Sequence, residues 1–155
     1  MSVEMARGVA VEERSGRPEG MPWITPYLMV QDVPAAIDFY EAAFGFERQS
    51  SNAGADGVVS HARMAWREGM IMVGLEGAYG GTSQAPATSG VECAASTYVY
   101  CDDVDALTQQ AAAAGAKIKF GPTDTFWGDR CCNLVDPNGH IWTFATHNGK
   151  FASHH

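Results

Sequence analysis

The chain repeats itself. Thr25, Tyr27, Leu28, Val30, Asp32 and Val33 correspond to Ser96, Tyr98, Val99, Cys101, Asp103 and Val104, each partner 71 residues further on. Ala35 answers Ala106 at the same offset. An internal repeat narrows the choice of folds more than any single motif. Each copy is one supersecondary unit that buries its apolar face against its neighbour.

Reading the two copies side by side gives the same order of elements. In the first, 24–30 is a strand candidate, followed by "VPAAIDFYEAAFGF". Asp32 is an N-cap residue, Pro34 suits the first turn, and Gly45 suits the C-terminal cap. Ile37, Tyr40 and Phe44 recur at helical spacing and form the inward face. "FERQS" begins a strand, "NAGADG" is a loop, and "VVSHARMAW" and "MIMVGL" are two strands joined by a tight turn at Arg67–Gly69. In the second copy Asp103 caps the helix "VDALTQQAAAAG", which ends at Gly115. "KIKF", "CCNLV" and "HIWTFAT" supply three further strands. Each half therefore reads β-α-β-β-β, an α+β fold of two tandem modules. The predicted boundaries are a tail over 1–21, one domain over 22–147, and a second tail over 148–155. Within the domain, module one covers 22–75, a Gly-rich linker without period 76–95, and module two 96–147.

The last two strands are joined by "DPNG". Asp136, Pro137 and Gly139 suit a type I turn closed by a glycine bulge, and turn chemistry alone accounts for Asp136 and Asn138. Just before it, "TFWGDR" is an unusual loop. Trp127 is hard to hide beside Gly128 and charged neighbours, which makes it a candidate lid or wall. Arg130 reads as a site residue, or as a surface partner of Asp129 or Asp124.

Composition closes off several classes. The formal net charge is −8 and Lys and Arg are scattered. A nucleic-acid binder needs a basic patch to displace counterions, so no nucleic-acid partner is expected. An acidic protein tolerates a cationic ligand. No apolar run approaches the roughly 18 residues that cross a bilayer, and the N-terminal residues have no signal-peptide core. The expectation is a cytoplasmic protein with no membrane partner. Cys93, Cys101, Cys131 and Cys132 then read as free thiols. No C-x-x-C spacing occurs, and neighbours in a strand point to opposite faces, so Cys131 and Cys132 make a poor metal pair.

"YLMVQDVPAAIDFYEAAFGF", "YVYCDDVDAL…AAAAGA" and "WGDRCCNLVDPNGHIWTFAT" together resemble the vicinal oxygen chelate superfamily. It includes glyoxalase I, extradiol dioxygenases and bleomycin-resistance proteins. The resemblance covers about residues 22–147. It implies two curled sheets around a cleft. In metal-using members it implies His, Gln or Glu ligands on the first and last strand of each module. The matching positions here are Thr25, Ser96 and Thr143, with Met72 or Val73 on the last strand of module one. None is a usual ligand for a divalent ion. A slip of one residue offers no better set. The expectation is no metal and no cofactor.

Strand alternation predicts what lines the cleft instead. Tyr27 and Met29 share one face of the first strand, and Tyr98 and Tyr100 share one face of the fifth. His61 and Arg63 face the cleft or solvent, Met70 and Met72 add adaptable surface, and Cys131 and Asn133 take the cleft side of their strand. The candidate ligand-binding residues are Tyr27, Met29, His61, Met72, Tyr98, Tyr100, Trp127, Arg130 and Asn133. No catalytic residue is assigned. Each has a plainer reading as well: the tyrosines can fill a sheet interface, and His61 can be a satisfied strand histidine. His140 reads as exposed or paired with backbone. His147, His154 and His155 read as terminal.

Two kinds of function follow. One is a metal-free protein that binds a small aromatic or cationic molecule, as the bleomycin-resistance members do. In those members the cleft lies at a dimer interface, so the resemblance implies a homodimer. The other is an enzyme: a metal-dependent lyase, isomerase or dioxygenase, or a metal-free one using His61 as base.

Overall fold

A computed structural model describes residues 15–151. Most of the tail read at 1–21 lies outside the described residues, as do His154 and His155. Residues 15–21 are described and not featureless. Met21 is buried, its carbonyl accepts from the Arg17 guanidinium, and its sulfur lies 3.5 Å from Arg63 Nη1.

Module one runs β1 (Tyr27–Val30), α1 (Val33–Phe44), β2 (Glu47–Ala53), β3 (Val59–Trp66) and β4 (Gly69–Leu75). Module two runs β5 (Ser96–Tyr100), α3 (Val104–Ala113), β6 (Lys117–Asp124), β7 (Asp129–Val135) and β8 (Ile141–His147). Each sheet has four strands, in the orders β1-β4-β3-β2 and β5-β8-β7-β6. The first strand of each module pairs in parallel with the last, and the other pairs are antiparallel. The α+β fold of two repeated modules is the one predicted.

The helix signals act as read. Asp32 and Asp103 accept hydrogen bonds from the amides of Ala35 and Ala106, at 2.8 and 3.0 Å. Gly45 takes φ 73° and closes α1. The inward face of α1 carries Ile37, Tyr40 and Phe44, each at most 1% exposed. Tyr40 and Phe44 meet Trp142 and Phe144 of β8, with ring centroids 4.6 to 5.4 Å apart. One core thus lies between the helix-covered faces of both sheets, and α1 packs on α3.

Three boundaries differ from the sequence reading. β1 starts at Tyr27 rather than at 24, because Pro26 has no N–H to give a ladder and only its carbonyl pairs, with Met72. The segment 76–95 is not structureless. It contains a 3-10 turn at Ala78–Gly80 and one helical turn, α2 (Pro86–Ser89), held by the Ala87 amide on the Asn138 carbonyl. β6 runs on to Asp124 through a bulge.

The "DPNG" turn also does more than turn. Asp136 Oδ1 accepts from the amides of Asn138 and His140, as an Asx turn requires. Its Oδ2 accepts from the Tyr40 hydroxyl at 2.6 Å and from Trp142 Nε1 at 2.9 Å. His140 is buried rather than exposed, and its Nε2 lies 2.6 Å from the Met29 carbonyl. Asn138 Oδ1 accepts from the Gln31 amide. The turn of module two is therefore bolted to the end of β1.

Candidate functional site

Helices cover one face of each sheet and leave the other open. Alternation along the strands decides what stands on the open faces. In β5, Thr97 and Val99 turn toward the helices, while Ser96, Tyr98 and Tyr100 are exposed. In β8, Trp142 and Phe144 enter the core, so Thr143, Ala145 and His147 stand on the other face. In β7, Cys132 and Leu134 enter the core, which puts Asp129, Cys131 and Asn133 on the open side.

On this second sheet the side chains converge on one carboxylate. Asp129 is 1% exposed. Its Oδ2 accepts from Tyr98 Oη at 2.6 Å, Tyr100 Oη at 2.9 Å and Trp127 Nε1 at 3.2 Å. Its Oδ1 lies 2.8 Å from His147 Nδ1. Trp127 Nε1 also reaches Tyr98 Oη at 3.2 Å. The Asp129 carbonyl accepts from Thr125 Oγ1, so the loop 125–128 is clamped onto the strand that follows it. Burial by itself would raise the pKa of Asp129, but four donated hydrogen bonds outweigh it and hold that pKa below the usual carboxylate value. The same bonds act in reverse on the donors. Burial and the bond to Asp129 push the Tyr98 phenol well above its ordinary value, and the bond to Asp129 raises Tyr100 too.

A buried carboxylate is costly unless its lone pairs are filled. Here the fillers are three aromatic side chains, whose rings remain partly open: Tyr98 is 42% exposed, Trp127 47% and Tyr100 54%. Asp129 therefore fixes the orientation of an aromatic wall. Tyr98 and Tyr100 contact each other at 5.4 Å between centroids, and Phe126 meets Trp127 edge-on at 4.8 Å.

Module one carries a second, smaller group. Tyr27 packs edge-on to His61 with centroids 5.7 Å apart. Tyr27 lies over Gly74, the residue that pairs with His61 in the ladder. A Cβ at residue 74 would come within 2.7 Å of both Met29 Cε and Tyr27 Oη, so glycine gives these side chains their place. Met72 pairs with Tyr27 in register on the same face. Burial, and then the charge of Arg63, lower the His61 pKa.

The sequence reading gathered these residues into one cleft. Within the chain the structure makes two groups on two different sheets. Tyr98, Tyr100 and Trp127 come together, and Tyr27, Met29, His61 and Met72 come together. Among the described residues, no hydrogen bond or ring contact joins the two groups. Asn133 stands on the second sheet and donates to Thr143 Oγ1 at 3.1 Å. Arg130 points the other way. Its guanidinium pairs with Asp105 of α3 at 2.8 Å and with Asp124 at 3.5 Å, because its neighbours Asp129 and Cys131 take the open face. Asp129 and His147 were missed as site residues. Their signal was present: they sit directly opposite each other in the β7–β8 register, on the parity that carries Asn133 and Thr143.

A groove of about 460 Å³ lies elsewhere. It runs between the segment at Pro22–Pro26, the β3–β4 turn and the unpaired edge of β5, and it touches the cluster only through Tyr98 and Tyr100. We place the site at the Asp129 cluster, where oriented polar atoms and exposed rings converge, and treat the apolar groove as its extension.

The fold and this site define a class. The chain belongs to the Glyoxalase/Bleomycin resistance protein/Dioxygenase superfamily, whose family model matches residues 20–144. It is 34% identical over 124 residues to uncharacterized proteins of Mycobacterium bovis and Mycobacterium tuberculosis, a match that spans 79% of this chain and 81% and 72% of theirs. Among solved structures it is similar to TioX from Micromonospora sp. ML1, with TM-score 0.63 and 28% identity over 80% of this chain and 97% of that one. It shares its fold with the fosfomycin resistance protein FosX of Listeria monocytogenes complexed with Mn(II) and sulfate, with TM-score 0.62 and 14% identity over 81% and 91% of the two chains.

A metal is therefore implied by part of the family, and the donors present can be tested against it. The four positions carry Thr25, Met72, Ser96 and Thr143. Met72 is the open-face residue of its pair, since Val73 is fully buried on the helix side. Thr143 already accepts a bond from Asn133. Three neutral hydroxyls and a thioether do not fit a hard or borderline divalent ion, which needs imidazole or carboxylate donors. Among the described residues no group of three or more His, Cys, Asp or Glu is placed to hold one.

Proposed function

We propose that this protein binds a small planar aromatic molecule, neutral or cationic, against the open face of its second sheet, and does so without a metal ion. The observation that carries the reading is the convergence of Tyr98, Tyr100 and Trp127 on the buried carboxylate of Asp129. Fixed rings with half-open faces give a flat ligand large contact area at little cost in side-chain entropy. Tyr and Trp faces also attract a cation, and the net charge of −8 favours its approach. Tyr27, Met29, His61 and Met72 of the first sheet form the other half of the site.

A homodimer completes it. The open faces leave Tyr27, Tyr98, Tyr100, Phe120 and Trp127 between 42% and 54% exposed, more apolar surface than a monomer usually shows on two sheets. A second copy that lays its first sheet over this second sheet would bring the two aromatic groups to one cleft. The protein acts in the cytoplasm on this reading, with its four cysteines as thiols. No helix among the described residues is long and apolar enough to cross a membrane.

The test is a panel of planar aromatics, charged and neutral, screened by thermal shift with and without EDTA. The reading expects a subset of the panel to raise the melting temperature equally in both buffers. Stabilisation that EDTA abolishes would contradict it.

A further inference from the structure

The mechanism of binding described above uses Asp129 as an anchor for rings and leaves one group on it unexplained. His147 is the last residue of β8, on the same open face. Its Nδ1 lies 2.8 Å from Asp129 Oδ1. Asp129 is a carboxylate with a depressed pKa, so it can only accept, and Nδ1 is the protonated nitrogen. The lone pair of the neutral ring is therefore on Nε2. That nitrogen has no protein partner among the described residues, and the side chain is 65% exposed.

The ring is also held from its other side. Gly128 has φ 91°, and a Cβ there would approach His147 Cε1 to 3.1 Å and Phe151 to 3.2 Å. The amides of Asn148 and Gly149, the two residues after the histidine, both donate to the Gly128 carbonyl at 3.0 Å. A terminal surface histidine needs none of this. Carboxylate at Nδ1, a glycine cradle at Cε1 and a pinned backbone fix the ring, its tautomer and its free nitrogen.

We propose that His147, oriented by Asp129, is a proton acceptor that selects planar ligands bearing an acidic hydroxyl, the chemical class of phenols. This rests on the aromatic-face reading and names the ligand class within it. The ligand ring lies on Tyr98, Tyr100 and Trp127, and its hydroxyl donates to His147 Nε2. For a sufficiently acidic phenol the O–H bond breaks and an N–H bond forms at Nε2. The pair left behind is a phenolate and an imidazolium whose Nδ1–H stays on Asp129. The proton returns when the ligand leaves, so nothing is consumed. The dyad stabilises the imidazolium as a buried carboxylate does for any histidine base.

Nitrobenzene and 4-nitrophenol form a matched pair of probes that differ by the hydroxyl. Both quench tryptophan, and the phenol reports its own ionisation by its absorption band. The full chain is titrated with each, buffered below the pKa of the free phenol. The proposal expects 4-nitrophenol to bind about tenfold more tightly than nitrobenzene, the size of one charge-assisted hydrogen bond, and to show the phenolate band when bound. In His147→Gln the affinity ratio falls to near unity and the phenolate band disappears. Asp129→Asn removes the band as well, because an amide at residue 129 can donate to Nδ1 and turn the protonated nitrogen outward. Equal affinity for both probes in the native protein, or a phenolate band that survives in His147→Gln, overturns the dyad and leaves the aromatic face standing. If neither probe binds, the phenol proposal falls, and the aromatic-face reading falls with it when no planar aromatic of the panel binds either.

Discussion

The Tyr98 hydroxyl donates to Asp129 Oδ2 across 2.6 Å, and in doing so it reaches over β8 to join β5 to β7. The bond spans three strands of a four-strand sheet. It positions a ring on the open face and fills a lone pair of a carboxylate that is 1% exposed.

Asp129→Asn should therefore cost stability. The substitution keeps the shape but weakens every bond to the oxygen that faces Tyr98, Tyr100 and Trp127, and it puts a donor opposite His147 Nδ1, whose ring must then change tautomer. A loss of about 1–3 kcal/mol is expected from removing charge-assisted hydrogen bonds at a buried site. Urea denaturation with an unchanged slope would measure it. The acid limb should change too. The folded pKa of Asp129 lies below its unfolded value, so its stabilisation is complete above the usual carboxylate range and lost as pH falls through the folded pKa. Native protein should lose stability below about pH 4 more steeply than Asp129→Asn.

At the alkaline end the same cluster acts with opposite sign. Tyr98 and Tyr100 have raised pKa values, so their contribution is present below the ordinary tyrosine pKa and lost as pH rises through the folded one. Ultraviolet titration should show tyrosines that stay protonated past the ordinary range of about 10. Asp129→Asn should return part of that absorbance change to the ordinary range. Identical titration curves for the two proteins would count against the network.

Tyr40→Phe tests the structural counterpart. Tyr40 is fully buried and donates to Asp136 at 2.6 Å, next to Trp142. Losing that donor leaves a buried carboxylate oxygen with one partner fewer, at a cost of about 1–3 kcal/mol. Ligand affinity should not change, because Asp136 lies beneath the helix-covered face. A loss of affinity without a loss of stability would contradict the separation of core and site.

Gly74→Ala probes the first sheet. The added methyl would meet Met29 Cε and Tyr27 Oη, both at the ends of movable side chains. The stability cost should stay below about 1 kcal/mol, since flexible ends swing away. The displaced Tyr27 should lose its contact with His61, visible as a change in the His61 ring-proton shifts. Ligand affinity should fall if the first sheet supplies half of the cleft, which isothermal titration would record.

Much of this fold is written locally. The 71-residue repeat, the two capping aspartates and the period of Ile37, Tyr40 and Phe44 each depend on short-range rules, and they placed both modules. Strand parity assigned Tyr98, Tyr100, Cys132 and Leu134 to the correct faces for the same reason. The site was less legible because it is made by register. Nothing near Asp129 in sequence shows that Tyr98, 31 residues earlier, or His147, 18 residues later, will meet it. A charged residue beside Arg130 reads as its surface partner, and only the pairing of β7 with β8 puts Asp129 on the open face and sends Arg130 to Asp105. Pro26 shortened β1 through a missing donor, and Ala85 and Ala87 gave order to a segment whose composition has no period.

The central claim is a ligand held by oriented aromatic rings and not by an ion. Equilibrium fluorescence titration of a planar aromatic from the screen, in EDTA, with native protein and with Tyr98→Ala tests it most directly. The account predicts saturable binding to the native chain in chelator, and at least tenfold weaker binding to Tyr98→Ala, in line with loss of an aromatic contact and its anchor. Binding that needs added Mn(II), Zn(II) or Ni(II), or that is untouched by Tyr98→Ala, would contradict it.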